Sequence, residues 1–184
     1  MLVITAYCLL IQGEVKMDGM TVQEVLAFAK ILEENSNKFY SDAAKRAKLP
    51  NAKKFLDELA REELGHKELI SNLEKKIDAG GDIPKITKKI KSLNISDFVA
   101  RRGLADDADF IDILAVAMDK EKEAVKVYST FADSLEDGKV KELFDFLINE
   151  EKRHLRRFED DYDDYTDEMS HKKVSELIKK ITGK

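Results

Sequence analysis

Apolar residues recur along this chain at helical spacing, in four long stretches set apart by polar breaks. In the first, Val25, Leu26, Ala29, Leu32, Tyr40 and Ala43 share one face of a helix expected from Val22 to about Ala47. Thr21 and Glu24 form the capping-box signature at its start. Pro50 ends a short connection, and Asn51 is placed to cap a second helix. That helix carries the stripe Leu56, Leu59, Ile70, Leu73 and Ile77 and stops at Gly80–Gly81. A long lysine-rich segment holding Pro84 follows. A third helix is expected from Asp107–Asp109 to Asp137–Gly138, and a fourth from about Lys139 to the acidic stretch near Asp161. Ser170 is placed to cap a short last helix.

Helices one and two, and three and four, are joined by short connections, so each pair forms an antiparallel hairpin. The second connection is long enough to travel the length of a helix. Two hairpins with one long crossover are the ferritin-like form of the all-α four-helix bundle. The hairpins also repeat one another at a constant offset of 88 positions. Leu26 matches Leu114, Ala29 matches Ala117, Glu33 matches Glu121, Tyr40 matches Tyr128 and Leu59 matches Leu147. Glu62-Glu63 matches Glu150-Glu151, and His66 matches His154.

Six of these repeated residues do not belong in an ordinary core. Glu33 and Glu121 sit inside apolar stripes. Glu63 with His66, and Glu151 with His154, stand three apart on helix faces that also carry leucines. Counting along each helix from the short connections brings all six to one level of the bundle. Unpaired carboxylates are costly to bury, so the four acids must hold protons or find cations. Two divalent metals supply four positive charges. One Glu from each of two helices plus Glu-x-x-His from each of the other two is the di-iron or di-manganese carboxylate pattern. Imidazole and carboxylate ligands suit iron, manganese and zinc alike. Tyr40 and Tyr128 are expected to fill the core with hydroxyls turned to a ligand carboxylate. His171 lies outside the pattern and reads as surface. Gly65 interrupts a ligand helix at a cost of about 1 kcal/mol relative to Ala, and close packing is its plain reading.

Composition narrows the remaining choices. The 184 residues carry 37 acids against 32 bases, a net charge of −5 that argues against a nucleic-acid partner. Gly and Pro number only 8 and 2, too few for a fold of many short strands. The single cysteine, Cys8, excludes an internal disulfide and suits the cytoplasm. Residues 1–20 read as an N-terminal extension, either upstream of the true start at Met17 or Met20 or packed on a subunit interface. Their apolar run is too short to cross a membrane as a helix. Residues 21–184 read as the di-metal domain.

Glu33…Tyr40, Glu63-Leu-Gly-His66, Glu121…Tyr128 and Glu151-Lys-Arg-His154 resemble the rubrerythrin branch of the ferritin-like superfamily. The resemblance covers about Thr21 to Asp163. It implies a non-haem di-iron site that reduces hydrogen peroxide or dioxygen, with Glu63 and Glu151 bridging and Glu33, Glu121, His66 and His154 terminal. Manganese or zinc would also fit. The family's rubredoxin domain has no cysteine pair here, so electrons are expected from a separate donor such as a rubredoxin. A homodimer or small homo-oligomer is expected. Ala124 replaces a glutamate that rubrerythrins carry one turn after the third-helix ligand, which weighs against efficient peroxidase turnover. Leu64 stands where bacterioferritin has its haem-binding Met, so neither haem nor a closed shell is expected. An iron-storage protein is the alternative reading, and a metal-free helical interaction module is the third.

Overall fold

In a computed structural model, residues 20–88, 90 and 108–182 are described, with side chains as far as residue 176. Residues 1–19 of the expected 1–20 extension and the middle of the crossover lie outside the described residues. Among the described residues four helices appear: α1 (Val22–Arg46), α2 (Pro50–Asp78), α3 (Phe110–Ser134) and α4 (Lys139–Thr182). α1 packs along α2 and α3 along α4, and the two hairpins meet through α1 against α3 and α2 against α4. The expected ferritin-like bundle is the architecture found.

The helix starts follow local chemistry. Thr21 Oγ1 accepts from Glu24 N at 3.2 Å while Glu24 Oε2 accepts from Thr21 N at 2.8 Å. At the repeat-related position, Asp109 and Asp112 close the same reciprocal box at 3.0 and 3.1 Å. α2 begins differently from the expectation at Asn51. Leu49 occupies the capping position without a side-chain bond, and Pro50 is the first helical residue. Proline suits that place because its missing N–H would have had no helical partner. At the other end Gly80 takes φ +95°, a left-handed turn open to glycine, and stops α2.

The fourth helix is the main departure. It does not end near Asp161 and restart at Ser170 but runs unbroken for 44 residues, about 66 Å at 1.5 Å per residue. Ser170 makes no cap. Its hydroxyl donates to the Thr166 carbonyl at 2.9 Å, the within-helix alternative for a serine. Past Phe158, the last buried side chain of α4 among the described residues, the helix continues beyond the core.

The crossover leaves the α2 end of the bundle beside the end of α3. There Thr87 N donates to Ser134 O at 2.8 Å and Glu136 N to Lys85 O at 3.1 Å. α3 starts at the opposite end, where Phe110 lies with Leu49 and Phe55 around one cleft. No helix among the described residues is long and apolar enough to cross a membrane.

The core is divided in two. One apolar cluster gathers Leu26, Phe28, Ile70, Tyr128, Phe131, Phe144 and Leu147. The other gathers Tyr40, Leu56, Leu59, Leu114, Ala117 and Phe158. Between them in each helix's sequence fall the buried acids and histidines.

Candidate metal centre

Each helix contributes to this polar layer at the point its apolar stripe dictates. Glu33 comes from α1, Glu63 and His66 from α2, Glu121 from α3, and Glu151 and His154 from α4. None of the six is more than 4% exposed. Two groups of four donors form, Glu33, Glu63, His66 and Glu151 in one and Glu63, Glu121, Glu151 and His154 in the other. Within each group the ligand atoms all lie within 4.8 Å of one another. Glu63 and Glu151 belong to both.

The tyrosines cross between the hairpins. Tyr128 of α3 donates to Glu33 Oε1 of α1 at 2.5 Å, and Tyr40 of α1 donates to Glu121 Oε1 of α3. Burial first, and the neighbouring carboxylates next, push both hydroxyls well above the ordinary phenol range. They therefore stay protonated and remain donors.

Electrostatics of the cluster reflect a shortage of positive charge. Burial raises Glu63 and raises Glu121 strongly, and the charge of Glu151 adds to the rise at Glu121. Burial, reinforced by Glu63, lifts Glu151 to about 7. Burial opposes charging the imidazoles, but contacts with Glu33 and Glu63 outweigh it and bring His66 to about 10. Contacts with Glu151 and Glu63 bring His154 to about 11. Two imidazolium charges thus face four carboxyls, some of which respond by holding protons.

Several donors also lack partners. Glu33 Oε2, both carboxylate oxygens of Glu63 and His66 Nδ1 are buried without a hydrogen bond. His66 Nδ1 comes within 3.5 Å of Glu33 Oε2 and 3.4 Å of Glu63 Oε2, ion-pair range without hydrogen-bond geometry. Buried polar atoms left unpaired are expensive, and all of these point into one cluster. A pair of divalent cations fits the orphaned atoms, the charge and the shared carboxylates together.

The structure also brings in residues that had no role in the sequence pattern. Glu62 Oε2 accepts from His154 Nε2 at 2.8 Å, reaching from α2 to the histidine of α4. Arg153 donates to Glu62 at 2.7 Å and to Glu150 at 2.6 Å. Burial opposes the charge on Glu62, yet the hydrogen bonds of His154 and Arg153 hold its carboxyl below the ordinary range. The offset of 88 had already aligned Glu62 with Glu150, so the signal existed, but only the packing of α2 on α4 shows its use. Gly65 is corrected outright. A Cβ there would meet nothing within 4 Å, so close packing does not explain the glycine.

Among curated proteins no sequence matches the chain closely enough to count as a relative. Similar solved structures include a hypothetical protein from Pyrococcus furiosus, 25% identical, with a TM-score of 0.60. The similarity covers 80% of this chain and 92% of that one. A candidate ferritin-like diiron-carboxylate protein from Thermotoga maritima is 23% identical with a TM-score of 0.56. Here the cover is 78% of this chain and 95% of that one, and this likeness speaks to the fold. The Rubrerythrin family model matches residues 24–162 and, again, residues 112–182. The second match starts 88 positions after the first, the offset at which the two hairpins repeat. With its four-helix bundle and buried carboxylate–histidine layer, the chain belongs to the rubrerythrin family of ferritin-like proteins.

Proposed function

We propose that the protein is a non-haem di-iron oxidoreductase that reduces hydrogen peroxide or dioxygen with electrons from a separate donor protein. The observation that carries this reading is the pair of four-donor groups sharing Glu63 and Glu151, with buried donor atoms left unpartnered. Glu33, Glu63, His66 and Glu151 would hold one iron, and Glu63, Glu121, Glu151 and His154 the other. Bound ferrous ions would supply two electrons and Lewis acidity to an oxygen substrate.

The chain's own residues set the conditions for that chemistry. The two apolar clusters keep the layer dry, which strengthens every electrostatic interaction within it. Tyr40 and Tyr128 hold their protons and fix one oxygen of Glu121 and of Glu33, leaving the other oxygen to face a metal. They are positioning residues rather than proton sources. Glu62 takes the Nε2 proton of His154 in a hydrogen bond and so leaves Nδ1 as the ligand atom. Ala124 packs against the apolar cluster and adds no further donor to the six.

Rapid mixing of the ferrous protein with hydrogen peroxide, without oxygen, tests the reading. Oxidation of the bound iron should far outrun that of free ferrous iron, and a rubredoxin-type donor should re-reduce it. Oxidation no faster than free iron overturns the proposal.

A further inference from the structure

The two metal positions share a repeat but differ on their outer sides. On the α4 side, His154 is fully buried and its Nε2 is bound to Glu62. Glu62 is itself held by Arg153 at 2.7 Å, and Arg157 Nη1 stands 3.5 Å from its other oxygen. On the α2 side, the matching contact is missing. His66 Nε2 lies 4.0 Å from Glu150 Oε2, beyond hydrogen-bond reach, because Glu150 is drawn to Arg153 at 2.6 Å.

The offset of 88 shows where the asymmetry originates. Arg153 corresponds to Gly65, and Arg157 corresponds to Leu69. One hairpin carries two guanidinium groups over its histidine's carboxylate partner, and the other carries a glycine with open space beside it and a 45%-exposed leucine. A glycine within a helix costs stability, and no crowding requires it here. What it does is leave the outer side of His66 without a clamp. The ring of His66 stacks on His154 at 5.8 Å between centroids on its inner side, and stands perpendicular to Phe146 at 6.1 Å, a phenylalanine that is itself 44% exposed.

A carboxylate on the far nitrogen of a ligand histidine fixes the ring and raises its basicity, and losing such a partner costs about 10–100-fold in metal affinity. We propose that Glu62 and Arg153 lock His154 and make its metal position the tighter of the two. The His66 position, unclamped at Gly65, is then the one that fills last and empties first. The inference deepens the two-metal reading above and rests on it. It assigns the clamp as a positioning device, not as part of the reacting centre.

Zn(II) titrated into the metal-free protein with isotope-labelled histidine tests it. The ring nitrogens of His66 and His154 are followed by NMR, and His171→Ala removes the third signal. His154 should respond through the first equivalent and His66 through the second. Arg153→Ala should weaken binding at His154 by up to about 10–100-fold, so that the rings respond together, while binding at His66, whose neighbour Glu150 is then released from Arg153, holds or tightens. Gly65→Arg, whose Cβ meets nothing within 4 Å and which restores the repeat's arginine, should move the His66 response toward the first equivalent. A merely structural role for Arg153 would weaken both positions alike. Rings that respond together in the unaltered protein, His66 responding first, or an Arg153→Ala protein with unchanged steps each overturn the inequality while leaving two metals standing. Zn(II) bound at neither histidine overturns the two-metal reading and this inference with it.

Discussion

The α1–α2 and α3–α4 hairpins carry the same inner residues and different outer ones. Inside, both present Glu, Tyr, Glu and His at matching positions, and each tyrosine serves the glutamate of the other hairpin. Outside, one has Arg153 and Arg157 where the other has Gly65 and Leu69. The difference teaches which constraints each face obeys. Two positions that must balance the same charge cannot diverge inside the core, where an unpaired carboxylate is costly. The rim of the site is partly solvated, with Arg153 39% exposed, so substitutions there change how firmly a ligand is held without unbalancing the core.

Breaking what the halves share has the largest expected effect. Glu63→Ala combined with Glu151→Ala removes two of the four donors from each group at once. Elemental analysis of protein prepared with iron and little oxygen should find about two metals per chain before the change and none after it. Each site loaded at a thousand-fold excess over its Kd stabilises by about 4 kcal/mol, or roughly 10 °C of Tm per site at this chain length. The double variant should lose that shift entirely. Metal retained in the variant would mean that the halves do not depend on common carboxylates.

Much of this site was legible in the sequence because burial and periodicity speak together there. Glu33 and Glu121 interrupt apolar stripes, and a constant offset ties them to the two Glu-x-x-His pairs, so their convergence followed from helix geometry alone. The outer residues were not legible in the same way. Glu62 and Glu150 sit beside the stripe, where a glutamate ordinarily faces water, and nothing local tells which histidine they approach. That Glu62 serves His154 of the other hairpin emerges only from the packing of α2 against α4. The length of α4 was hidden for a related reason. Its acidic run from Glu159 to Asp164 breaks the apolar stripe and so reads as the end of the helix, although carboxylates oppose the dipole of a helix that stops there. With the helix continuing to Thr182, the run lies mid-helix and the dipole argument does not apply.

The response to pH sharpens the comparison by showing how the inner layer behaves with and without metal. In the metal-free protein Glu151 at about 7 lies above its reference value of 4.5. The stability it contributes is therefore complete below 4.5 and lost as pH rises through 7. His66 at about 10 and His154 at about 11 lie above 6.5, so their contribution is complete below 6.5 and lost as pH climbs through those values. The Tm of chelated protein should accordingly fall between about pH 5 and 8. Metal binding needs deprotonated ligands, so the Tm of loaded protein should rise or hold over the same window. Parallel slopes in the two forms would show that these groups do not face a metal.

The smallest expected effect tests whether the halves are one folding unit. Thr21 and Asp109 cap α1 and α3 with the same reciprocal geometry at repeat-related positions. Replacing either by Ala should cost about 1 kcal/mol, or roughly 2–4 °C of Tm. If the hairpins unfolded separately, the two losses would differ and a second transition would appear in the melt. The crossed contacts argue otherwise. Tyr40 and Tyr128 each have their hydroxyl partner in the opposite hairpin, and Glu62 holds the histidine of α4 from α2. Neither half can release its share of the polar layer without exposing the other's, so equal losses within one sharp transition are the expected result.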